Sequence, residues 1–262
     1  MNLLQTMWGV LRYEFRMQIR RPVLWLVFLG FALLDLRAIV SDLQAPNVQS
    51  IFMHLSTLQL AATVTSLTNW LPPLGVGILL ADRLVRDRRT RVDELLTTLP
   101  GTLRMRLLGK YLGVTCASLV PAFLLFLVMV GVTVWTTGNV LLIPACLLCY
   151  AAIVLPGMLF IAAFSLACPV VIWLPLYQFL FFGYWFWGNL FSPQVGIPTL
   201  NGTILTPIGS VIAASFFSTG RFGEAPPSPV MTGVASLVAL LGIAVLVLVA
   251  LYQFLKWEQA RQ

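Results

Sequence analysis

Charge is what this sequence has least of. Asp, Glu, Lys and Arg together make up 10% of the chain, and a single histidine stands at position 54. Soluble domains carry about 25% charged and about 45–50% apolar residues, whereas here 59% are hydrophobic. That leaves too little polar material to clothe a water-soluble core, and a mean hydropathy of +0.93 makes a lipid bilayer the fitting solvent. Acid is scarcest, with 9 Asp and Glu against 16 Lys and Arg. In a soluble protein the surplus would suggest nucleic acid. In this composition it reads as basic loops on the cytoplasmic side of a membrane, with no nucleic-acid partner.

Catalytic and metal-binding signatures are also wanting. Cys116, Cys146, Cys149 and Cys168 all fall in apolar runs. The Cys146–Cys149 pair lacks the second pair or nearby His that a four-ligand zinc site needs. These thiols read as small hydrophobes. No GxxxxGK[ST] occurs, so the chain has no loop of its own for cradling nucleotide phosphates. HExxH is absent, and His54 beside Ser56 in an outer loop reads as a surface histidine rather than part of a triad. No catalytic residue, cofactor or metal is expected in this chain.

What the sequence does hold is apolar runs long enough to cross a bilayer, which takes about 20 residues of helix. Six qualify: Val23 to Val40, Ser56 to Ala81, Tyr111 to Thr136, Val140 to Ala167, Val170 to Gly188, and Val230 to Phe254. Cys168-Pro169 marks the turn between the fourth and fifth, because proline interrupts the helical ladder. The N-terminal run is as long as a span and lacks a small-x-small cleavage site, so it reads as a retained anchor. Fourteen of the sixteen basic residues lie in the N-terminal segment, the loop after the second span, and the tail; only Arg37 and Arg221 fall elsewhere. An even number of spans puts these three regions on one side, so both termini and the basic loop are expected in the cytoplasm. The expected fold is all-α, a polytopic membrane protein of six transmembrane helices forming a single domain over residues 1–262.

Three regions outside the spans carry their own patterns. Within 1–22, Leu4, Trp8, Leu11, Phe15 and Ile19 recur at helical spacing, with Arg12, Arg16 and Arg20 on another face. That pattern predicts an amphipathic helix in the membrane surface. Within 82–110, Val92, Leu95, Leu96 and Leu99 form an apolar stripe beside Arg88, Arg89, Asp93 and Glu94. A solvated loop needs charge but no stripe, whereas a helix docked on a partner needs both. The outer segment 190–229 is long and apolar, with a short helix predicted over Ile208 to Phe217; a re-entrant pair of helices fits it. Inside the spans, Pro72, Pro73 and Pro175 break helices. Asn69, Gln178 and Asp35 are the polar candidates for lining a pathway, since ionisable or polar groups at membrane depth are functional hypotheses.

At Ala81–Gly113, ADRLVRDRRTRVDELLTTLPGTLRMRLLGKYLG resembles the permease subunits of type-2 ABC exporters. The resemblance rests on Asp82, Arg88-Arg89, Glu94-Leu95-Leu96, Pro100 and Gly109-Lys110, with Thr90-Arg91-Val92-Asp93 where the family has Gly-Thr before Glu-Leu-Leu. It implies an ATP-driven exporter in the inner (plasma) membrane of a prokaryote. Two permease chains, identical or related, would form the pathway, each engaging a cytoplasmic ABC ATPase that binds ATP and Mg. The coupling helix would comprise Arg88, Arg89, Asp93, Glu94, Leu95, Leu96 and Leu99. The transmembrane unit of a vitamin-uptake system, and an intramembrane lipid or peptide enzyme, are the alternative classes. The missing phosphate loop generates a direct expectation: the purified chain, free of any ATPase subunit, hydrolyses no ATP in a phosphate-release assay. Turnover by such a preparation would contradict the transporter reading.

Overall fold

The computed structural model describes residues 3–44, 54–89, 102–191, 198–220, 223–224 and 228–261. These form α1 (Leu3–Ile19), α2 (Pro22–Gln44), α3 (Thr57–Thr68), α4 (Pro72–Leu80), α5 (Asp82–Arg89) and α6 (Leu103–Thr137). Then follow α7 (Leu142–Cys149), a π-turn over Tyr150–Val154, α8 (Leu155–Val171), α9 (Leu174–Leu190), α10 (Ser210–Phe217) and α11 (Val230–Gln259). Between α10 and α11, Thr219–Gly220 pairs antiparallel with Gly223–Glu224. Among the described residues, four helical stretches are long and apolar enough to cross a membrane: Thr57–Asp87, Leu103–Thr137, Leu142–Val171 and Val230–Gln259. The chain is thus a helical membrane protein.

Local chemistry sets the helix ends. Ser56 and Gln59 form a capping box, with Ser56 Oγ accepting from the Gln59 N–H at 3.3 Å and Gln59 Oε1 accepting from the Ser56 N–H at 3.0 Å. Pro72 and Pro73 end the α3 ladder and occupy the first turn of α4, where a missing N–H costs nothing. Gly138 at φ 67 stops α6 in the left-handed conformation. The turn expected at Cys168-Pro169 lies instead at Ile172-Trp173. Pro169 is taken into the last turn of α8, which closes by Ile172 N–H donating to the Cys168 carbonyl at 2.9 Å.

The broken helix α3–α4–α5 is the axis of the bundle and mostly buried, whereas α11 is peripheral and mostly exposed. It is wrapped by α2, α7, α8, α9 and α10. Gly75 admits Phe31 of α2 and Gly77 admits Phe181 of α9, since a Cβ at either position would collide with the ring. Residues 206–219 pack against this core. Ile208 offers its carbonyl to Asn69 at the break between α3 and α4 (2.9 Å), and Thr219 then meets Thr63 at 2.8 Å, nearer the start of α3. Asn69 lies about 18 Å along the helix axis from the start of α3, so Ile208 sits deep in the bundle. The short helix predicted over Ile208 to Phe217 forms as α10.

The most extensive packing is between α1 and α6. A Cβ on Gly109 would lie 2.8 Å from the Met7 carbonyl oxygen, and one on Gly113 2.7 Å from that of Leu11. The two glycines, four apart, let the backbones touch in the manner of small-xxx-small helix pairs. The contacts advance together along both helices, so the pair is parallel. At 35 residues, α6 is about 52 Å long, well over the roughly 30 Å of a hydrocarbon core. The side of α1 that meets α6 is thus polar as well as apolar. The buried side carries Glu14 and Gln18, and Trp8 is 63% exposed. Replacing Gly113 with Leu forces these backbones apart. It is expected to cost about 1–3 kcal/mol, read as a lower thermal midpoint and faster proteolysis within α1; unchanged values would contradict this packing.

Candidate functional site

Charge collects at one end of the bundle. α1 sits beside the start of α6, α5 leads into residues 90–101, and the end of α11 returns there, with Arg104 lying 5.0 Å over the Tyr252 ring. At the meeting of α1, α5 and α6 the charges go inside. Lys110 of α6 donates to Glu14 of α1 at 3.2 Å and also pairs with Asp87 of α5. The side chains of Lys110 and Glu14 are each 7% exposed. Burying such groups is tolerated only when they are paired, because each loses its hydration.

Two further contacts extend the hub. Arg21, just past α1, donates from Nη1 to both Asp82 carboxylate oxygens at 3.2 and 3.1 Å. That pair is partly open to solvent, so it contributes at most about 1 kcal/mol. Gln18, one turn after Glu14, reaches Ser118 at 3.4 Å. Arg83 is buried on the same face of α5 as Asp87, four residues on, and its Nε and Nη2 have no hydrogen-bond partner. Glu14 Oε2 is also unpartnered. Arg21, Arg83 and Lys110 balance Glu14, Asp82 and Asp87 in charge. The arrangement fastens three helices, and it brackets residues 90–101: Asp87 precedes that segment and Lys110 follows it.

The residues expected to contact an ATPase divide by position. Arg88 and Arg89 close α5. Asp93, Glu94, Leu95, Leu96 and Leu99 lie outside the described residues. Of the pathway candidates, Asn69 is 2% exposed and gives its amide N–H to Ile208. Pro72 and Pro73 are buried at the start of α4. Gln178 donates to the Ile78 carbonyl at 3.3 Å, tying α9 to α4, and Asp35 is buried in α2 at 9% exposure. Asn69, Pro72 and Pro73 come together at the helix break, with Gln178 further along α4; Asp35 stands apart on α2.

Sequence reasoning passed over Glu14, Gln18 and Arg83. One signal was present: Glu14 is the only acid before Asp35, and it shares a helix face with Gln18. Neither a protein-family model nor a curated protein sequence matches this chain. Lys110→Met would leave Glu14 and Asp87 buried without their cation. It is expected to destabilise the fold by about 3–5 kcal/mol, read by thermal unfolding in detergent, with Arg21→Met costing far less. Equal effects from the two changes would contradict a buried hub.

Proposed function

We propose that this chain is the membrane-spanning permease subunit of an ATP-driven ABC exporter. Residues 90–101 form the seat for a separate cytoplasmic ATPase, which supplies ATP and Mg. The observation that carries this reading is the hub itself. A segment that receives force must be anchored at both ends, and here Asp87 on one flank and Lys110 on the other hold the same three-helix junction. Motion imposed on residues 90–101 thereby reaches α1, α5 and α6 together.

In this reading α2 (23 residues) and α9 (17 residues) join the four long helices to make six spans. Both present apolar faces outward, with Leu26, Leu29 and Leu33 on α2 and Phe179, Phe182 and Trp187 on α9. The charged end faces the cytoplasm of a prokaryotic cell, following the distribution of Lys and Arg. The outer segment is re-entrant, consistent with irregular backbone at depth being buried in protein. Two chains, identical or related, pair to enclose the pathway.

The test uses the tagged full-length chain purified from its own cells. Leu95→Asp with Leu96→Asp places carboxylates in an apolar contact and costs several kcal/mol of binding. The expected result is that the variant inserts in the membrane normally but no longer brings down an ATPase carrying a phosphate loop. Glu94→Gln should weaken the association measurably. An unaltered complex with the double variant would contradict the proposal.

A further inference from the structure

The break in the central helix and the π-turn meet around a small cavity. It measures about 10 Å³ and is lined by Thr65, Thr68, Asn69, Phe126, Tyr150 and Met158, among others. Asn69 is 2% exposed and Tyr150 7%, yet Asn69 Oδ1 and the Tyr150 hydroxyl have no hydrogen-bond partner. Both residues line the cavity, and two orphaned polar atoms there are costly unless something fills the gap, because buried polar groups are normally paired. The volume is about that of one water-sized sphere.

The geometry points to a single ordered water bound between Asn69 and Tyr150, joining the helix break to the π-turn. The donor and acceptor inventory selects this ligand. Tyr150 supplies one O–H donor, and Asn69 Oδ1 accepts. Thr65 and Thr68 donate to the Ala61 and Val64 carbonyls at 2.7 and 2.8 Å, which leaves lone pairs on both hydroxyls. A water accepts from Tyr150 and gives its two hydrogens to Asn69 and a threonine, the three bonds usual for internal water. An anion would find one donor. A cation would enter without a counter-charge, since no carboxylate lines the cavity. An apolar filler would leave both orphans unpaired.

The cavity lies where proline interrupts the central helix. Pro72 and Pro73 have no N–H to give to the carbonyls of Thr68 and Asn69, so α3 ends within the bundle. Opposite, the π-turn over Tyr150–Val154 widens the helix and places Tyr150 on the cavity wall. The water therefore belongs to both irregularities and ties them together. This inference stands independently of the transporter reading.

The test is pulsed X-ray radiolysis of the full chain in lipid nanodiscs containing ¹⁸O-water, read by mass spectrometry. Met158 and Phe126 are each 1% exposed, so radicals from bulk solvent do not reach them. A bound water split in place oxidises them promptly. The expected result is labelling of Met158 and Phe126 in the native chain and its loss in Asn69→Leu, while exposed Met231 is labelled equally in both. Absence of labelling at Met158 and Phe126 in the native chain overturns the proposal. A second measurement guards against a variant that misfolds: the native thermal midpoint should be the same in sodium, potassium and choline chloride. A midpoint that depends on which cation is present assigns the cavity to an ion and overturns the water.

Discussion

Lys110 is shared by two carboxylates that come from helices far apart in the sequence, and the organisation of the charged end depends on that sharing. Glu14 and Lys110 are 96 residues apart, and Asp87 and Lys110 are 23 apart. Without the ammonium, α1 and α5 would each bring a buried negative charge to the same junction and repel. With it, α1 is held along α6 closely enough that only glycine fits at 109 and 113. The interaction is a specificity device more than a source of stability. Buried ion pairs return little beyond the desolvation of their members, but the wrong partner leaves a charge unpaired. That asymmetry fixes which helix α1 follows and in what register.

A second constraint governs the middle of the molecule. A helix that breaks inside a bundle must have its freed polar groups met by protein or by trapped water, because the surrounding medium offers none. Asn69 at the break gives its amide N–H to Ile208, and Trp185 donates its indole N–H to the Trp70 carbonyl at 3.2 Å. Gly157 serves the same end, since a Cβ there would meet the Pro207 carbonyl oxygen at 1.9 Å. Pro207 and Ile208 thus plug the break. The charged end and the plugged break share α6, whose Lys110, Ser118 and Ala122 face the hub, α1 and the cavity in turn.

Much of the fold was legible in the sequence because membrane helices announce themselves by length and apolar composition. Among the described residues, four helices long and apolar enough to span form where four of the six spans were expected, and the short helix before the last one and the interruption at Pro72-Pro73 lie near their expected places. The side that α1 buries was not legible. Its apolar stripe suggested lipid, but a helix considered alone cannot reveal a cation that arrives from a distant part of the chain. The same limit hid Arg83, which reads as one more member of a basic run and is in fact 1% exposed. Asp82 and Lys110 were visible only as parts of a motif, and nothing local indicated that they and Glu14 share a junction. The turn between α8 and α9 moved by four residues because a proline near a helix end costs only one backbone bond.

The central claim is that the ionic hub holds α1, α5 and α6 together at one junction. The most direct measurement places spin labels at the exposed positions Arg12 on α1 and Arg86 on α5 and records their distance distribution in lipid by pulsed electron paramagnetic resonance. The account predicts one narrow distribution in the native chain and a broad one in Lys110→Met, as α1 loses its hold. A distribution unchanged by the substitution would contradict it, because the two helices would then be held together by packing alone.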